Sequence, residues 1–74
     1  MIKIKVKIRL DTFSDATHFV EIASNLKGKI VITDGAGLCV SAKSILGALH
    51  AMEFENLWCE SETDIYNEIK DFVI

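Results

Sequence analysis

Ile2, Ile4, Val6, Ile8 and Leu10 alternate with Lys3, Lys5, Lys7 and Arg9 over the first ten positions. Period two over that length predicts a strand with one buried and one wet face. A sheet with one face in water is usually antiparallel or mixed, so helices are expected on one side only. The period changes over residues 15–27. Ala16, Phe19, Val20, Ala23 and Leu26 fall at helical spacing, with Asp15, Thr17, Glu21 and Ser24 turned outward. Thr12 or Ser14 can cap this helix, and Gly28 can stop it.

The β-rich run Lys29-Ile30-Val31-Ile32-Thr33, then Asp34-Gly35, then a second apolar run from Ala36 to Val40 make a hairpin signal. Ser44 to Met52 reads as a short helix, in which Gly47 is a weak point or marks a close contact. Phe54 to Cys59 reads as the last strand. Ser61-Glu62-Thr63-Asp64 fits a capping box opening a final helix with Ile65, Ile69, Phe72 and Val73 inward. The predicted order is β-α-β-β-α-β-α. It describes one α+β domain over residues 1–74, an open-faced sandwich of four strands with three helices on one face.

Composition narrows the function classes. The chain has 74 residues, half of them hydrophobic, and no proline. A core this small leaves no room for a second domain or a deep cofactor pocket. No apolar run approaches the roughly 20 residues of a membrane span, and the charged N-terminal alternation does not read as a signal peptide, so a cytoplasmic location is expected. The net charge of −3 hides an asymmetry. Lys3, Lys5, Lys7 and Arg9 open the chain without an acid, whereas Glu53, Glu55, Glu60, Glu62, Asp64, Glu68 and Asp71 face Lys70 alone near its end. An acidic total argues against nucleic-acid binding. Cys39 and Cys59 show neither metal-ligand spacing nor disulfide density, and read as buried free thiols.

Catalytic chemistry is sparse. Gly35-Ala36-Gly37 sits in a hairpin and opens no helix, so it is no phosphate loop. His18 and His50 are too few for a metal site. No cofactor is expected, and the chain does not read as an enzyme.

Val40-Ser41-Ala42-Lys43-Ser44-Ile45-Leu46-Gly47-Ala48-Leu49 is the informative stretch. It resembles the regulatory-serine segment of HPr, the histidine-containing phosphocarrier family of bacterial sugar phosphotransferase systems. That family's Lys-Ser-Ile-(Met/Leu)-Gly pattern matches residues 43–47 throughout. Ala23-Ser24-Asn25-Leu26 is similar to the family's Ala-Ser-Lys-Phe segment at the end of its first helix. The β-α-β-β-α-β-α order is also the family's, and the resemblance covers nearly the whole chain. The loop before the last strand is a few residues short, and the last helix is trimmed.

The main departure falls on the family's active segment, His-Ala-Arg-Pro-Ala. It aligns with Thr12, Phe13, Ser14, Asp15 and Ala16, of which only Ala16 is retained. A phosphocarrier needs an imidazole nitrogen that forms a labile N–P bond. A threonine hydroxyl is not nucleophilic without a base, and its phosphate ester is too stable to be passed on. Asp11 and Asp15 add negative charge where a phosphoryl group would sit, and Ser14 replaces the arginine that would neutralise it. A displaced histidine, His18 or His50, is the alternative phosphoacceptor, although neither falls at a helix N-terminus.

The resemblance further implies that Ser44 is a regulatory phosphorylation site. In Gram-positive members of the family a dedicated kinase and phosphorylase modify this serine, and the product acts as a corepressor in carbon catabolite control. Without a modification, Ser44 is simply a helix N-cap. The expected docking residues are Phe13, His18, Ile45, Leu46 and Leu49, some of which must instead serve the core. The partners implied are an HPr kinase/phosphorylase, a transcriptional regulator or a phosphotransferase-system component. Alternatively, the chain is an unmodified interaction domain. Trp58 points to the open sheet face, where it marks either weak self-association as a homodimer or a partly covered surface residue.

Overall fold

The computed structural model describes residues 4–74; Ile2 and Lys3, the start of the alternating run, lie outside the described residues. Strand β1 is Ile4–Ile8, β2 Ile30–Thr33, β3 Cys39–Ser41 and β4 Leu57–Ser61. Helix α1 is Phe13–Ser24, α2 Ile45–Ala51 and α3 Tyr66–Ile69, the last continuing as a 3₁₀ turn over Lys70–Phe72. The fold is α+β, and the elements follow one another in the expected order.

The four strands form one sheet in the order β1-β4-β2-β3, each neighbouring pair antiparallel. Register places Ile8 opposite Leu57, Val6 opposite Cys59, and Cys59 in turn opposite Ile32. That row points to the helices. Ile8, Ile30, Ile32, Leu57 and Cys59 are buried with Ala16, Phe19, Val20 and Ala23 of α1, Ala48 and Ala51 of α2, and Ile69 and Phe72 near the end of the chain. Phe19 is fully buried and meets Phe72 edge to face at 5.2 Å, a favoured aromatic geometry. The other sheet face carries two rows, Lys7-Trp58-Thr33-Cys39 and Lys5-Glu60-Val31-Ser41. Lys5 and Lys7 lie 5.1 and 5.6 Å from the Trp58 ring, so the tryptophan is a partly covered surface residue.

At each sheet edge some backbone groups are bonded to the rest of the chain. Along β1, the Arg9 amide donates to the Phe72 carbonyl and the Ile74 amide to the Lys7 carbonyl, with Val73 bridging to Ile8. Along β3, the Ser41 carbonyl accepts from the Ser44 amide. Gly47 of α2 comes so close to that carbonyl that a Cβ there would lie 3.0 Å from its oxygen. The glycine is a close contact.

Several element bounds differ from the sequence reading. The hairpin loop runs through Leu38, because the Asp34 carboxylate accepts from the Ala36 and Leu38 amides and Gly35 adopts φ +76°. Leu38 is therefore 54% exposed and does not join the inward row. Cys39, expected to be buried, lies exposed on the short β3; Cys59 alone of the two is in the core. The last strand starts at Leu57. Phe54 still belongs to the turns leaving α2, where its amide donates to the Ala51 carbonyl. The capping box at Ser61–Asp64 does not form. Ser61 is held in the sheet opposite Ile4 and Ile30, and its hydroxyl donates to the Thr63 carbonyl. Asp64 accepts from the Tyr66 amide instead, and the helix that follows is a single turn.

Two expectations test this packing. Ala ordinarily favours a helix over Gly by about 1 kcal/mol. At residue 47 the added methyl meets a backbone oxygen, and overpacking typically costs about 1–3 kcal/mol. Gly47→Ala should therefore lower stability by about 1 kcal/mol in urea unfolding; a stabilised variant would contradict the close packing. The second concerns Cys59, whose thiol is pushed up from 9.0 to about 12 by burial and, secondarily, by the charge of Glu60. Above pH 9.0 the unfolded chain releases this proton while the folded chain keeps it. Stability thus falls as pH rises from 9.0 toward about 12, with a slope contribution of about 1.4 kcal/mol per pH unit. Urea unfolding across that range should show a shallower decline for Cys59→Ala than for the native chain.

Candidate functional site

The segment Thr12–Ala16 opens α1, and its sequence explains its geometry. Thr12 is the N-cap in an extended conformation, and its hydroxyl accepts from the Asp15 amide at 3.0 Å. Asp15 returns the bond. Its Oδ2 accepts from the Asp11 amide at 3.1 Å and the Thr12 amide at 3.2 Å. This is a complete capping box, and it lies here rather than at Ser61–Asp64. Asp11 pairs with Arg9 at 2.8 Å, on the surface. The Asp11, Thr12 and Asp15 amides around the helix start are thus bonded to the chain's own carboxylate and hydroxyl.

Phe13 is the first helical residue and is 62% exposed. Ser14 is exposed as well, while Ala16 is buried in the core. The segment divides between a surface knob and a core anchor.

His18 lies mid-helix in α1, exposed, with its ring edge-on to Phe72 at 5.7 Å. It borders a shallow depression of about 200 Å³ that Arg9, Asp11, Asp15 and Asp71 also line. His50 sits in the last turn of α2, edge-on to Phe54 at 5.8 Å, with Nδ1 3.9 Å from a Glu53 carboxylate oxygen. Neither histidine stands at a helix start. Among the described residues, no three His, Cys, Asp or Glu side chains converge as a metal site. No helix there is long and apolar enough to cross a membrane.

Ser44 is the N-cap of α2, exposed, with its hydroxyl accepting from the Gly47 amide at 3.1 Å. The cap is built on a tight turn. The Ala42 amide donates to the Ile30 carbonyl, and the Lys43 amide donates to the Ser41 hydroxyl. Ala42 is fully buried, which fixes the turn against the core. Ile45 and Leu46 follow the cap with exposures of 47% and 80%. Leu49 is different. It is half-buried and packs on the core, and so serves the fold as much as any docking surface. The structure thus leaves Phe13, Ile45 and Leu46 as large apolar side chains in solvent on two helices that pack together.

One contact had no counterpart in the sequence reading. Lys43 Nζ donates to the Leu26 carbonyl at 2.8 Å, just beyond the end of α1. That helix has no basic residue in its last turn, so Lys43 supplies the cation that its negative end lacks. A lysine at a turn gives no local signal of a carbonyl 17 residues away.

Thr12→Ala removes one half of the capping box and should cost about 1 kcal/mol in thermal or urea unfolding, with Thr12→Ser close to neutral. An alanine variant as stable as the native chain would deny the cap its role. No protein-family model, curated protein or solved structure matches this chain.

Proposed function

We propose that the chain is an HPr-like interaction module that has given up phosphocarrier chemistry at its first helix and is regulated by phosphorylation of Ser44. The observation that carries the reading is Ser44 itself, an exposed cap hydroxyl in the Lys43-Ser44-Ile45-Leu46-Gly47 pattern, directly followed by two exposed apolar side chains. Isolated exposed apolar residues are common on small proteins. Two consecutive ones beside a modifiable hydroxyl give a protein partner both something to bury and something to sense.

The chemistry at Thr12 supports the first half of the proposal. Its hydroxyl is committed to the Asp15 amide, and the carboxylate of Asp15 occupies the neighbouring amides. A transferable phosphoryl group would meet negative charge without the arginine of the family pattern. At Ser44, a kinase would move the terminal phosphoryl of a nucleoside triphosphate to the hydroxyl oxygen, with the hydroxyl proton taken up by a base and the diphosphate released. The product gains a charge of about −1.5 to −2 beside Ile45 and Leu46. Partners that bury those side chains would be repelled, and partners with an arginine cluster would be recruited. A kinase/phosphorylase, a transcriptional regulator or a phosphotransferase-system component fits this scheme.

Incubation with an HPr kinase and ATP should add one phosphate, mapped by mass spectrometry to Ser44 and lost in Ser44→Ala. An unmodified Ser44 under conditions that label an ordinary HPr would overturn the regulatory reading and leave an unmodified interaction domain.

A further inference from the structure

Lys43 joins the Ser44 turn to the end of α1 across 17 residues. Its backbone cannot drift. The Lys43 amide is bonded to the Ser41 hydroxyl, the Ser44 amide to the Ser41 carbonyl, and the Ala42 amide to the Ile30 carbonyl. What can move is the side chain, whose ammonium holds a single carbonyl oxygen in an exposed setting. At the α1 end, the Asn25 amide bonds to Ile22 and the Leu26 amide to Ala23, so the helix closes in tight turns before the chain reverses toward β2. The Leu26 carbonyl faces outward and takes Lys43.

An ammonium bonded to a neutral carbonyl responds to a new anion nearby. Hydrogen bonds between two charged groups are roughly twice as strong as neutral ones, and a phosphoserine offers an adjacent lysine three acceptor oxygens. Lys43 and Ser44 are neighbours in sequence, and the flexible four-carbon stem lets the ammonium reach either group. We infer that Lys43 is a coupling residue: a negative charge at position 44 draws its ammonium off the Leu26 carbonyl, so that the charge state of the α2 cap is read out at the far end of α1. The inference rests on the regulatory reading of Ser44 for its biological use, but the coupling itself depends only on charge at that position.

Paired variants separate the two. Ser44→Asp and Ser44→Asn both keep a good helix cap and differ only in charge. The readout is the backbone amide resonance of Lys27, which shares a peptide unit with the Leu26 carbonyl, together with its hydrogen-exchange rate. In Ser44→Asp the Lys27 resonance should move to the position it takes in Lys43→Gln, with faster exchange, while Ser44→Asn leaves it near the native position. In a Lys43→Gln background, Ser44→Asp should produce no further shift at Lys27. A Lys27 resonance unmoved by Ser44→Asp, or moved equally with and without Lys43, would overturn the coupling. Neither result depends on whether a kinase acts on Ser44, so failure of the regulatory reading would leave this measurement intact.

Discussion

Cys59 sits between Val6 on one side and Ile32 on the other, and the rest of the fold follows from that placement. Its strand, β4, is the last in the sequence yet lies inside the sheet, so β1 has no strand partner until nearly the whole chain has been gathered. The helices must then cover one face only, because the other carries lysines and a glutamate on the same strands. Burial on a single side leaves little apolar area, and the chain compensates with small residues. Ala16, Ala23, Ala48 and Ala51 are buried on two helices that pack together, where small side chains fill the thin core. Gly47 extends the same economy to the contact with β3.

The two helix starts show how similar local chemistry can be left with different freedom. At α1, Thr12 and Asp15 satisfy each other, and the Asp15 carboxylate already places negative charge at the helix start. At α2, Ser44 caps alone, with no acidic partner in the first turn. One cap is finished and the other can still be altered. This difference is why the proposed regulation is placed at the second helix rather than the first.

Much of the fold was legible because one-sided burial imposes strict periods. The helical spacing of Ala16, Phe19, Val20 and Ala23 reappears as a buried face, and the alternation from Ile4 to Ile8 as a strand with Ile8 buried and Ile4 and Val6 half-buried. Boundaries were less legible where two local rules competed. Thr12-Phe13-Ser14-Asp15 and Ser61-Glu62-Thr63-Asp64 carry the same capping signature, and only tertiary context separates them: Ser61 is claimed by its ladder partners on β1 and β4's other neighbour β2. Phe54 has strand propensity but is held by the exit turns of α2. Of the candidate site, the apolar character of Phe13, Ile45, Leu46 and Leu49 is plain in the sequence, but which of them serve the core is not. The half-burial of Leu49 and the reach of Lys43 depend on how two helices pack, which no local pattern encodes.

The pairing of Val73 and Ile74 along β1 also bears on how the molecule behaves in a crowd. An exposed strand edge is a template on which other chains can add. Here the Lys7–Arg9 end of one rim is taken by the chain's own last residues, and the other rim is short and backed by the first turn of a helix. Phe13, Ile45 and Leu46 remain exposed on the helices, where association has to be specific in shape, while the bonded ends of β1 and β3 shorten the backbone open to strand addition. Sociability of the surface is thereby separated from the hazard of polymerising.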